Sequence, residues 1–137
     1  MQAARVIVAA LTASAMAHAG AADGLIVIGH PNLPALDAAT LEKVYTGKVV
    51  EVGGVAVTAI NAQSGSATRT RFLQAYLKQD EDKYTAYWIV RRYIGKGAPP
   101  REISGSAAVI DFVKATPGAI AYIDEADAQP GVHVLLR

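Results

Sequence analysis

Val55-Ala56-Val57-Thr58-Ala59-Ile60 runs into Asn61-Ala62-Gln63-Ser64-Gly65-Ser66-Ala67-Thr68-Arg69, and then into Phe72, Leu73, Tyr76 and Leu77 at helical spacing. The first six residues read as an apolar strand. The last four fall on one face of an amphipathic helix, opposite Arg71, Gln74 and Lys78. The middle is therefore a strand-to-helix turn built from small hydroxyl residues and a glycine. The first N–H groups of a helix have no partner inside it and carry the positive end of its dipole, so an oxyanion can sit there. Serine and threonine hydroxyls add donors, and Arg69 adds a full charge. The purely architectural alternative is an ordinary N-cap, with Ser64 or Ser66 closing the helix.

Outward from the turn, strands and helices alternate. Leu25 to Gly29 reads as a buried strand, and His30-Pro31-Asn32-Leu33-Pro34 as a loop. Asp37 or Thr40 can cap a helix carrying Leu41, Val44 and Tyr45, with Gly47 ending it. Gly53-Gly54 marks a turn before the strand Val55 to Ile60. After the central helix, Asp80 or Asp82 starts another, running through Tyr84 and Trp88 to Tyr93, with Gly95 closing it. Pro99-Pro100 forces a loop. Ser104 or Ser106 caps a further helix whose apolar side is Val109, Ile110, Phe112 and Val113. Pro117-Gly118 turns the chain into two last strands, Ala119 to Ile123 and Val132 to Leu136. This alternation predicts an α/β class. No repeat or interdomain linker interrupts it.

The chain has 137 residues, 52% of them hydrophobic, enough to build one domain with a real core. It has no cysteine, which removes disulfides and thiolate metal sites. Arg5, the apolar run Val6 to Ala17 and the small residues of Ala17-His18-Ala19 and Ala19-Gly20-Ala21 read as a signal peptide. It spans residues 1–21 with cleavage near Ala19 to Ala22, leaving 22–137 as the mature domain. The run is shorter than the roughly 20 residues that cross a bilayer comfortably. Cleavage removes Arg5 and leaves 12 basic against 12 acidic residues. That balance argues against nucleic-acid binding and against broad attraction to anionic membranes, so anion recognition has to be local.

The remaining candidates carry little chemistry. His30 and His133 have no metal-ligand spacing around them. No G-x-S-x-G elbow occurs, and neither Ser64 nor Ser66 has a base partner visible in the sequence. Asp124, Glu125 and Asp127 read as a solvated turn. Arg91 and Arg92 suit a helix C-terminus, and Trp88 with its neighbouring tyrosines suits packing. No enzyme activity, cofactor or metal is expected.

Four segments in order resemble the phosphate-type substrate-binding proteins of ABC importers, which have the type 2 periplasmic binding protein fold. Leu41-Glu42-Lys43-Val44-Tyr45-Thr46-Gly47-Lys48 resembles the family's L…IFtGk segment. Ser66-Ala67-Thr68-Arg69 with Phe72 resembles SGTR..F. Trp88 with Gly95-Lys96-Gly97-Ala98-Pro99-Pro100 resembles W…GkG.pP. Pro117-Gly118-Ala119-Ile120-Ala121-Tyr122 resembles pGaIGYv. The resemblance implies a single lobe of that fold, a small mixed sheet flanked by helices. It implies a periplasmic solute-binding module for an inorganic oxyanion, phosphate foremost, linked to ABC-type phosphate uptake. Ser64, Ser66 and Thr68 would donate hydroxyls, Gly65 and Ala67 backbone N–H groups, and Arg69 charge.

Three departures qualify this. The chain is too short for the two lobes between which larger members close on the anion. Alanine replaces the glycine of SGT at Ala67, which is strained only if that position needs positive φ. The arginine that some members carry shortly before the motif is Ala62 here, and Arg69 sits inside the helix, where it either substitutes or points to solvent. The expectation is a half-site that binds phosphate or sulfate weakly. A permease, a membrane sensor or a second copy would supply the other wall. The alternative is a periplasmic interaction or sensory module that kept the fold and binds ligand weakly or not at all.

Overall fold

A computed structural model describes residues 24–137. The expected signal sequence, residues 1–21, lies outside the described residues. The apolar run Leu25–Gly29 forms β1, buried along its whole length. It is the second strand from one edge of a five-stranded sheet of order β5-β4-β6-β1-β7. On one side β1 pairs antiparallel with β6 (Ala119–Asp124), and on the other with β7 (His133–Leu136). Strands β6, β4 (Thr58–Asn61) and β5 (Arg101–Glu102) run parallel to one another.

The period-2 alternation of side chains divides the core between the two faces of this sheet. Leu25 and Val27 of β1, with Ile120 and Tyr122 of β6, meet three helices on one face. These are α1 (Ala38–Tyr45), α2 (Ala67–Phe72) and α3 (Glu81–Tyr93). Ile26 and Ile28, with Ala119, Ala121 and Ile123, meet Val109, Ile110 and Val113 of α4 (Ser106–Ala115) on the other. Strands covered on both faces explain why β1, and β6 as far as Ile123, carry no charged residue.

The helices begin largely where their capping residues predict. Asp37 caps α1 by accepting from Thr40 N at 2.7 Å, and Asp80 caps α3 by accepting from Lys83 N at 2.8 Å. α2 runs on into a π-helical turn, Leu73–Leu77, that stops at Lys78 in the left-handed conformation. Phe72, Leu73, Tyr76 and Leu77 are buried, as their spacing requires.

Two expectations are corrected. The strand Val55–Ile60 is in fact two strands. Val55–Ala56 is β3, paired with β2 (Glu51–Val52) in a hairpin around Gly53-Gly54. The chain then changes sheets at Val57, whose N–H still donates to Val50, while that of Thr58 donates to Gly118 in the main sheet. Gly118 has φ +78°, and a Cβ there would lie 2.1 Å from the Ala56 carbonyl oxygen, so the crossing admits only glycine. The second correction concerns α4. Neither Ser104 nor Ser106 caps it; Gly105 occupies the N-cap at φ +88° with no side-chain bond, and Ser104 donates to Gln63 instead.

Candidate oxyanion-binding turn

The turn follows Asn61 at the carboxyl end of β4, on the edge where the three parallel strands all finish. Ligands of open α/β sheets gather at that edge. A buried polar network anchors the turn from below. Asn61 donates through Nδ2 to the Tyr84 hydroxyl at 3.1 Å, and its Oδ1 accepts from the Tyr122 hydroxyl at 3.0 Å. Tyr84 donates onward to the Tyr45 carbonyl at 2.9 Å, and Tyr45 to the Ile60 carbonyl at 2.8 Å. The Tyr122 hydroxyl accepts from Ala62 N at 3.0 Å, which fixes the first residue of the turn to the middle of the sheet. Burial pushes all three phenols above their ordinary value. Tyr122 also stacks on Phe72, centroids 3.7 Å apart, which ties the network to α2.

Above this network, Gly65 takes φ +79° and Ser66 is the N-cap of α2, its Oγ accepting from Arg69 N at 3.3 Å. Ala67 is the first helical residue, so alanine is harmless where the family motif has glycine. The expected cap role of Ser66 is thus realised. The Ser66 N–H is itself taken by the Gln63 carbonyl, at 3.0 Å.

The candidate residues divide between two sides of the turn. Ser64 and Arg69 line a cleft of about 430 Å³ whose walls include Tyr84, Trp88 and Pro100. Ser66 and Thr68 line a smaller cavity of about 130 Å³, against α4 and Asp124. Gly65 and Ala67 are exposed at the crest between them.

Arg69 does not point to solvent; it is 6% exposed. Its Nε and Nη2 donate to the two carboxylate oxygens of Glu81, at 2.9 and 2.8 Å. Its Nη1 donates to Glu102 at 2.9 Å and to the Ala62 carbonyl at 3.3 Å. The guanidinium also lies over the Tyr84 ring, 5.4 Å from its centroid. Ser64 offers both its N–H, at 2.7 Å, and its hydroxyl to the same Glu102 oxygen. Those two bonds and the charge of Arg69 hold the Glu102 carboxyl below its ordinary value of 4.5, the Ser64 hydroxyl acting most strongly; partial burial opposes them. On the other side, the Thr68 hydroxyl donates to Asp124 at 3.0 Å, and Asp124 also accepts from Arg71.

Glu81 and Glu102 are the residues that sequence reasoning missed. Glu81 lies in the first turn of α3, a place where an acid is expected for the helix dipole alone. Glu102 follows a double proline with no periodicity around it, and reaches Ser64 across 38 positions. His30 and His133, by contrast, have plain local roles: His30 bonds Asn32, and His133 Nε2 bonds the Leu33 carbonyl.

No family model matches the chain, and no curated sequence does. Solved structures do. An ABC-type phosphate transport receptor from Vibrio cholerae superposes with a TM-score of 0.57 at 12% identity, over 82% of this chain and 45% of that one. A putative phosphate ABC transporter substrate-binding protein with bound phosphate from Clostridium perfringens gives a TM-score of 0.57 at 18% identity, over 82% and 44%. PstS from Borrelia burgdorferi gives 0.60 at 17% identity, over 82% and 46%. The chain spans less than half the length of each of these. The four-segment resemblance and the folded structure agree: this chain has the fold of one lobe of the phosphate-type, type 2 periplasmic binding proteins.

Proposed function

We propose that the protein is a periplasmic solute-binding module for an inorganic oxyanion, phosphate foremost, working with an ABC-type uptake system and catalysing no reaction. The observation that carries this reading is the convergence on Glu102. The Ser64 N–H, the Ser64 hydroxyl and the Arg69 guanidinium meet at one carboxylate oxygen, which is itself an oxyanion. A donor set that holds a carboxylate has the geometry and charge to hold a phosphate oxygen. The helix start at Ala67 and Thr68 adds backbone donors beside it, with Gly65 allowing close approach. Two of the neighbours in fold are named as a phosphate transport receptor and a putative phosphate transporter binding protein, which favours phosphate among oxyanions. One wall of donors leaves a bound anion open to water, so affinity is weak unless a permease, sensor or second copy covers it.

Titration calorimetry with phosphate and sulfate tests this, alongside Ser64→Ala, Ser66→Ala and Arg69→Ala. Binding in the millimolar range or tighter, reduced by Ser64→Ala and abolished by Arg69→Ala, is the expected result. Absence of both anion-dependent heat and thermal shift at millimolar anion would sink the proposal.

A second reading has its own support. Ile89, Val90, Tyr93 and Ile94 on and after the last turns of α3 are exposed, Tyr93 by 91%. An apolar face of this kind suits a module that docks onto a protein partner and has lost its ligand. It predicts a membrane receptor or transporter recovered by cross-linking from Tyr93 and no response to phosphate.

A further inference from the structure

Accepting the turn as an oxyanion receptor, we infer that Glu102 is its built-in occupant: an external oxyanion binds by displacing the Glu102 carboxylate from Ser64 and Arg69.

Three observations carry this. First, Arg69 does not need Glu102 for neutralisation, because Glu81 already holds it through Nε and Nη2 in a two-point pair. Glu102 adds a second carboxylate to a single buried guanidinium, in a cleft that Arg92 and Arg101 also line. Second, every bond that Glu102 makes here falls on one oxygen, Oε1. That is the contact pattern of a bound anion's oxygen, unlike the two-oxygen fork that Glu81 shows. Third, Glu102 is free to leave. Its side chain is 44% exposed, and it belongs to a two-residue strand at the sheet edge. It borders the 430 Å³ cleft into which it would rotate. Rotation about its side-chain torsions releases the Ser64 N–H, the Ser64 hydroxyl and one Arg69 nitrogen together, with no backbone change. Glu81 keeps Arg69 in place meanwhile, so the receptor stays formed when its occupant moves.

The affinity for an external anion is therefore the affinity of the donors less the cost of expelling Glu102. Competition of this kind sets a threshold concentration below which the site stays filled by the chain itself.

Calorimetry on the wild type, Glu102→Gln and Glu102→Ala, with phosphate and with sulfate, reads this out. Glu102→Ala should bind both anions at least about tenfold tighter than the wild type. Glu102→Gln should fall between, since its amide oxygen still accepts from Ser64 without carrying charge. Thermal melts check that both variants fold, and Arg69→Ala in the Glu102→Ala background should remove the gain. Equal or weaker binding by the Glu102 variants overturns the displacement and leaves the receptor standing. No binding by any of the three proteins overturns both. A second readout is the 13C resonance of the Glu102 side-chain carboxyl in the wild type. Saturating phosphate should move it to the value of a solvated carboxylate; an unmoved resonance alongside measurable binding rejects displacement.

Discussion

The two sides of the Ser64–Arg69 turn each meet a carboxylate, yet they are built differently. On one side Arg69 is buried, shared between Glu81 and Glu102, and seated over the Asn61–Tyr84–Tyr122 network. On the other, Arg71 and Asp124 pair with side chains 39% and 30% exposed, and Thr68 joins them at the rim. Each cluster is built from an arginine, a carboxylate and a hydroxyl. What differs is the dielectric around them, and that decides whether a charge pair organises structure or merely decorates it.

Removing each arginine breaks the comparison most directly. Arg69→Met should lower the unfolding free energy by about 3 kcal/mol, because it strands a half-buried Glu81 and leaves the Ala62 carbonyl without a donor. Arg71→Met should cost less than about 1 kcal/mol, since water replaces the exposed pair. Urea denaturation of the two variants measures the gap, and equal costs would refute the contrast. Next, Tyr122→Phe should cost about 1–2 kcal/mol, by orphaning Asn61 Oδ1 and Ala62 N in the interior. Thr68→Val, on the opposite side, should stay within about 0.5 kcal/mol. Ser66→Ala removes a cap that serves both sides, over a long 3.3 Å bond, and should cost about 0.5–1 kcal/mol whichever side is intact.

The smallest effect is one of pH. The Glu102 carboxyl is held below 4.5 in the folded protein, so its contribution to stability is complete above that ordinary value. It is lost as pH falls through the lower, folded value. The groups that lower this value are Ser64, through its hydroxyl and its N–H, and Arg69; Glu81 and Arg92 of α3 and the neighbouring Arg101 line the same cleft. The difference in melting temperature between the wild type and Glu102→Gln should therefore shrink on acidification below 4.5. A difference that persists unchanged would mean that the contact is not electrostatic.

Local signals in the sequence located much of this architecture. The runs at Leu25, Ala119 and Val132, the caps at Asp37, Asp80 and Ser66, and the apolar face Phe72–Leu77 are all periodic or punctuated features. They read correctly because each depends on neighbours within one or two turns of chain. What escaped was non-local. The switch of sheets at Val57 depends on Gly118, some sixty positions away. The Gly105 cap follows from a backbone angle that Ser104 and Ser106 obscure. The partners of Arg69 lie 12 and 33 positions from it, on elements whose own patterns announce helix and loop, not a binding site. Sequence could say that Arg69 begins a helix beside hydroxyls; only the packing of α3 and β5 shows that two carboxylates had already reached it.

The strand that carries Glu102 has a further consequence. β5 joins β4 through the Ile60–Arg101 and Asn61–Glu102 partners alone, with one more bond from Ile103 N to the Asn61 carbonyl. So short an edge can peel from the sheet in a sub-global opening, while β1 and β6 exchange their amides only on global unfolding. Native-state hydrogen exchange should therefore find residues 101–103 relaxing on their own timescale, well ahead of 25–28. The edge that carries Glu102 is thus expected to open before the centre of the sheet does.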